Sequence, residues 1–222
     1  FEPVLKLKKP GTYSIRLKIE NSCGTYLSDP ETVTVNAPPV ISNLTITPAS
    51  PICVGTPITP SATFNPCSSG PITSYNWSFG AGSSPSTSNL QYPGNNSITY
   101  STPSTSGSPK IISVTASNAC GSSTPVTTNL VVNKRPEITI TGNPSLCVGT
   151  SAVYTITPAP ASGSTGFTWG ISGGGVITAG AGTSSVTVLW NTQGLHTISA
   201  NYTNPGGCQA VENATLNVTV NP

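Results

Sequence analysis

The chain of 222 residues repeats itself, and a repeated sequence has to fold as repeated units that each bury their own face. The segment "NLTITPASPICVGTPIT" (43–59) matches "EITITGNPSLCVGTSAV" (137–153), which aligns Cys53 with Cys147 in a shared Cys-Val-Gly-Thr loop. Downstream, "TSYNWSFGAG" (73–82) matches "TGFTWGISGG" (165–174). In both, every second residue is apolar: Tyr75, Trp77 and Phe79, then Phe167, Trp169 and Ile171. A period of two predicts strands with one face in a core.

A further element occurs three times. "GTYSIRLKIENSCG" (11–24), "SPKIISVTASNACG" (108–121) and "GLHTISANYTNPGGC" (194–208) each read as an alternating strand, an Asn-bearing turn and a cysteine. Tyr13, Ile15, Leu17 and Ile19 are expected on one face, with Ile112, Val114 and Ala116, and then Ile198, Ala200 and Tyr202, as counterparts. A closing strand ending in Val-Asn follows each, with Pro soon after, a residue that cannot donate to a ladder. The boundaries expected from this are the C-terminal part of a repeat over 1–37 and complete repeats over 38–133 and 134–222. The short Pro-bearing linkers "NAPPV" and "NKRPE" predict repeats aligned as a rod.

Units of roughly 90 residues, with about seven short strands and turns rich in Gly, Pro, Asn and Ser, predict an all-β fold of tandem immunoglobulin-like sandwiches. Trp77 and Trp169 occupy the place of a buried core tryptophan, and Trp190, closing the run "SVTVLW", is read as another core anchor. No helical periodicity is present. Among the six cysteines, repeat alignment equates Cys53 with Cys147, and Cys120 with Cys208, so the expected bridges are Cys53–Cys120 and Cys147–Cys208. Cys23 aligns with Cys120, and its natural partner would lie upstream of Phe1. Cys67 has no counterpart, and it is either a free thiol or bonded to Cys23. Cysteines without Cys-x-x-Cys or His-rich spacing argue for disulfides in an oxidising compartment rather than for zinc.

Charge and missing residues exclude several functions. Charged residues make up 6% of the chain, against about a quarter in ordinary domains, and the net charge is +2. Lys6, Lys8 and Lys9 are the only basic cluster, too small for a nucleic-acid surface. No apolar run reaches the ~18–20 residues of a membrane span. The single histidine, His196, and the single aspartate, Asp29, lie in different repeats, so no Ser-His-Asp triad is expected; His196 is read as a strand-start residue. Glu2, Glu20, Asp29, Glu31, Glu137 and Glu212 are too scattered for a carboxylate pair or a calcium-bound linker. No catalytic residue, cofactor or metal is expected. The Asn-x-Ser/Thr sites at Asn43, Asn76, Asn95, Asn201, Asn213 and Asn217 are read as Thr-rich strands.

"SYNWSFGAG", "ISVTASNACG" and "GTYSIRLKIENSCG" together resemble PKD (polycystic kidney disease) domains. Tyr75, Trp77, Phe79, Gly80 and Gly82 fit the family's turn, Ala81 stands where an Asp is usual, and Ser172-Gly173-Gly174 departs further. The Cys-Val-Gly and Asn-x-Cys-Gly pair resembles PKD-like repeats in long surface proteins of Bacteroidota. That resemblance implies a non-catalytic stalk of an exported cell-surface adhesin, as in gliding-motility adhesins secreted by the type 9 system. Its partners would be neighbouring repeats, surface polysaccharide or the outer-membrane motility and secretion machinery. The alternative is an accessory module of a secreted polysaccharide- or protein-degrading enzyme, touching substrate through exposed Tyr26, Tyr92 and Tyr100.

Overall fold

Alternating apolar residues pair their strands wherever a second sheet is present to cover them. The computed structural model describes residues 4–66, 70–94 and 97–222. Cys67 and Asn95 fall outside them. Every regular element among the described residues is a strand. They divide into two units: Phe1–Ser50 with Pro57–Ser101 and Pro109–Leu130, and Pro51–Thr56 with Thr102–Ser108 and Val131–Pro222.

In the first unit, Ser74–Ser78 pairs antiparallel with Lys110–Asn118, which also pairs with Val126–Leu130. Val40–Thr47 pairs with Thr59–Asn65 around an irregularity that contains Asn43 in the left-handed region, which an Asn side chain tolerates. The faces foreseen from the sequence meet here: Trp77, Phe79, Ile112, Val114 and Ala116 are all buried, together with Ile58, Ile98 and Leu130. Phe64 packs edge-on to Tyr75, with ring centres 4.9 Å apart, and Trp77 Nε1 donates to the Leu90 carbonyl at 3.0 Å.

Tyr100 is a correction. Expected at the surface, it is 1% exposed, and its hydroxyl donates to the Phe79 carbonyl at 2.6 Å. Its short strand Thr99–Tyr100 pairs with Ser83–Ser84, which turns the ring under the Phe79 turn. Burial pushes its pKa up to about 12. The phenol therefore ionises more easily unfolded, near its ordinary value of about 10, than folded. Its stabilising contribution is complete below about pH 10 and is lost as pH rises towards 12, by at most about 1.4 kcal/mol per pH unit. Urea unfolding followed from pH 8 to 11 should show this decline, and Tyr100→Phe should flatten it. Equal slopes in the two proteins would remove Tyr100 as the cause.

The continuous face expected from Tyr13 to Ile19 is interrupted. Tyr13 and Ile15 share the half-buried face of Gly11–Ile15, paired with Glu31–Val35. The alternation then stops: Lys18–Asn21 forms a separate hairpin with Gly24–Leu27, and Leu17 and Ile19 are more than half exposed. Among the described residues, each of these pairs is a two-stranded sheet, with no further strand paired to carry the face inward.

The second unit is a complete sandwich. One sheet orders Thr139–Gly142, Ser151–Thr157, Ser185–Trp190 and Gly175–Ala179. The other orders Ser145–Cys147, Ala214–Asn221, Gly194–Thr203 and Thr165–Ile171. A single core joins them, with Tyr154, Ile156, Val186, Val188 and Trp190 facing Ile198, Ala200, Tyr202, Val218 and Val220. Trp190 is fully buried: its Nε1 donates to the Tyr154 hydroxyl at 3.1 Å, and its ring stacks on His196 at 5.3 Å. Trp169 is the second correction. It is half-buried at the edge of this core, with its Nε1 on the Thr183 carbonyl at 2.9 Å, because Trp190 and Tyr154 already occupy the centre.

Candidate functional site: a disulfide-bonded junction

Pro51–Thr56 belongs to the second unit, and the reason is a parallel pairing: Ile52–Cys53 lies beside Val132–Asn133. The Ile52 amide donates to the Val131 carbonyl and the Val54 amide to the Asn133 carbonyl, each at 2.9 Å. Gly55 then turns the loop at φ 78°, a conformation that costs glycine nothing, and Thr56 N returns to the Cys53 carbonyl at 3.0 Å. This is the physical content of Cys-Val-Gly-Thr. The loop lies flat along the end of a Val-Asn strand and presents its cysteine there.

The opposing wall is the turn after Gly194–Thr203. Asn204 organises it: its carbonyl accepts from Gly207 N at 2.9 Å, its Oδ1 accepts from Cys208 N at 3.0 Å, and its Nδ2 donates to the Lys134 carbonyl at 2.8 Å. Asn133 Nδ2 donates to the Gly206 carbonyl at 2.7 Å. Arg135 spans both walls, with Nε on the Val54 carbonyl at 2.8 Å and Nη1 on the Gln209 carbonyl at 3.0 Å. Between them Cys53 and Cys208 form a disulfide with Cα atoms 5.8 Å apart, within the usual span of such bonds. Cys208 is 1% exposed, so one sulfur is sealed in.

The expected bridges Cys53–Cys120 and Cys147–Cys208 are therefore not the ones formed. Cys120, Cys147 and Cys23 are exposed free thiols. Strand direction is the cause. Ser145–Cys147 runs parallel to Ala214–Asn221 and stops beside Asn221, whose neighbour Val220 pairs with Gly194. Cys208 lies past the other end of the ten-residue strand Gly194–Thr203. At about 3.3 Å per residue, roughly 30 Å of strand separates the two cysteines, several times the reach of a disulfide. Cys53 is bonded to Cys208, which leaves Cys120 a free thiol.

A shallow cleft of about 390 Å³ adjoins this junction, lined by Lys134, Arg135, Pro158, Tyr202 and Asn204 among others. Glu137 is its one carboxylate, and it already pairs with Lys134 at 3.0 Å, so a carboxylate couple has no second member there. His196 points away from hydrolytic chemistry, with Nε2 at 2.9 Å from the Thr192 carbonyl and its ring on Trp190. Among the described residues, no three His, Cys, Asp or Glu gather as a metal site, and no helix is long and apolar enough to cross a membrane. Of the tyrosines proposed for exposure, Tyr26 (65%) and Tyr92 (62%) are at the surface.

A family model described as "PKD-like domain" matches residues 38–130 and again 133–218. No curated protein matches the chain. Similar solved structures include the D00–D0 domain of intimin, 15% identical, covering 82% of this chain and 99% of that one, with a TM-score of 0.36. Murine CEACAM1b is 9% identical over 82% and 100% of the two chains, with a TM-score of 0.34. The FN1–FN3 domains of chicken CNTN1 are 14% identical over 95% and 75%, with a TM-score of 0.35.

Proposed function

The chain belongs to the PKD-like domain family, and from that premise we propose that it is a non-catalytic stalk segment of a large secreted adhesin. In this reading repeats over 1–37, 38–133 and 134–222 are links of a tandem array that holds an adhesive tip away from the outer membrane. The resemblance of its Cys-Val-Gly and Asn-x-Cys-Gly segments to Bacteroidota surface repeats supports type 9 secretion and gliding motility as its setting. Its partners are then neighbouring repeats, surface polysaccharide and the outer-membrane machinery.

The observation that carries this is the Cys53–Cys208 bond, which joins residues from the two family-matched segments. Tension entering before Cys53 and leaving after Cys208 passes through that covalent bond, so residues 54–207 are removed from the load path. Such a bypass suits a stalk, which carries load along its length. Disulfides persist in oxidising, extracytoplasmic settings, which suits an exported chain. The low charge leaves little field to attract counter-charged surfaces.

The accessory-module reading rests on Tyr26 and Tyr92, the exposed aromatic rings suited to stacking on sugar. Incubating the chain with cellulose, chitin and collagen separates the two. The stalk reading expects no saturable binding to any of them. Saturable binding lost in Tyr26→Ala or Tyr92→Ala would replace the stalk by the accessory module.

A further inference from the structure

The Cys53–Cys208 bond joins the leading loop of one repeat to the turn of the next, and the same two half-sites recur at Cys147 and Cys120, which are free thiols. Cys147 sits in a leading loop built like that of Cys53. Val148 N donates to the Asn221 carbonyl at 2.8 Å, as Val54 N does to Asn133, and Gly149 turns at φ 81° against 78° for Gly55. Cys120 sits in a turn built like that of Cys208. Asn118 Oδ1 accepts from Cys120 N at 2.8 Å, as Asn204 Oδ1 does from Cys208 N. Asn118 Nδ2 also donates to the Ala37 carbonyl at 3.0 Å, the counterpart of Asn204 Nδ2 on Lys134. Ala37 and Lys134 each follow the Val-Asn that closes a strand. The turn bearing Cys120 is therefore seated on the end of the preceding Val-Asn strand as the turn bearing Cys208 is seated on its own. At the bonded site, the place beside that strand end is where the leading-loop cysteine lies.

We propose that Cys120 and Cys147 are half-sites of further inter-repeat disulfides of the Cys53–Cys208 type. The partner in each case is another PKD-like repeat. Cys120 takes the leading-loop cysteine of a repeat before it, and Cys147 takes the turn cysteine of a repeat after it. Each bond forms when two thiols lose two electrons and two protons to a disulfide oxidant, for example oxidised glutathione, which leaves as two thiols. The inference goes beyond the stalk reading, because it concerns how repeats are joined whatever they carry. Its consequence is topological. A staple from Cys53 to Cys208 and one starting at Cys147 overlap, so successive staples leave no backbone unbracketed. Bridges closed within each repeat would leave residues 121–146 outside any staple.

Two lengthened chains test this. The first carries a second copy of residues 134–222 joined after Asn221, restoring Val-Asn-Lys-Arg-Pro at the new joint. The second carries an additional copy of residues 38–133 inserted after Asn133. Both are refolded in a glutathione redox buffer, alkylated and mapped by mass spectrometry without reduction, with one copy isotope-labelled by segmental ligation. The proposal expects Cys147 linked to the turn cysteine of the added copy in the first chain. In the second it expects the added copy's Cys120 linked to the original Cys53. The Cys53–Cys208-type bond at the unaltered joint of each sample reports folding. With that bond present, an alkylated original Cys147 in the first chain, or an alkylated Cys120 of the added copy in the second, overturns the proposal. Cys147–Cys208 or Cys53–Cys120 bonds within one repeat overturn it as well, whether or not the control bond forms. Should a lengthened chain form no bond, the unaltered 222-residue chain is mapped in the same way, and bonds within a repeat there overturn the proposal while Cys53–Cys208 with alkylated Cys120 and Cys147 supports it.

Discussion

The double substitution Cys53→Ser with Cys208→Ser is expected to lengthen the chain under tension by about 500 Å or more. The bond brackets 155 residues of sequence, and an unfolded chain extends by about 3.3–3.6 Å per residue. In single-molecule pulling from the two termini, the oxidised parent should extend only through its flanking residues. The variant, or the parent after reduction, should release the bracketed length as well. The bond also limits the unfolded ensemble. For a loop of this size the chain-entropy model gives about 5 kcal/mol, comparable to the lower end of a domain's whole stability of about 5–15 kcal/mol. Denaturant unfolding of oxidised and reduced protein measures that part. Equal extension in the two redox states would show that the bond does not bracket this segment, and would take the load-path argument with it.

Trp190→Ala should be the most damaging single substitution in the second unit. The side chain is fully buried, stacks on His196 and donates to the Tyr154 hydroxyl. Truncating a tryptophan in a filled core costs about 3–5 kcal/mol through lost transfer energy and the cavity left behind. Tyr154 would retain its own donation to the Asn143 carbonyl at 3.0 Å but lose the indole that partners its oxygen. Because the hydroxyl stays buried, that loss adds to the cavity cost. Trp169→Ala, at a half-buried ring on the rim, should cost clearly less. Far-UV circular dichroism in urea compares the two without relying on the fluorescence the substitutions remove. A larger loss at Trp169 than at Trp190 would reverse the assignment of the core anchor.

Both expectations turn on features that differ in how they could be read. The core strands were legible because a period of two is written into neighbouring residues: Trp77 and Phe79, Ile112 and Val114, and Ile198 and Ala200 are buried as their alternation required. The tandem all-β organisation was legible for the same reason, repeated. Residues 11–19 show the limit of the argument. Their alternation matches that of 108–118, yet Leu17 and Ile19 are exposed, since period two specifies a face and not the presence of a sheet to cover it. Tyr100 illustrates the converse. It sits in a two-residue strand with no pattern to announce it, and only its place beneath Phe79 buries it.

The cysteines divide the two kinds of information most sharply. Repeat alignment alone established that Cys53 and Cys147 are equivalent, that Cys120 and Cys208 are equivalent, and that their loops are built from the same residues. Equivalence says nothing about which end of a strand a loop occupies. That was settled only in three dimensions, where the parallel pairing of Ile52–Cys53 with Val132–Asn133 carries the leading loop to the end of the last strand, and to Cys208 of the following repeat. A disulfide forms between cysteines whose Cα atoms lie about 6 Å apart, and that distance is a property of strand direction and length that no local pattern encodes.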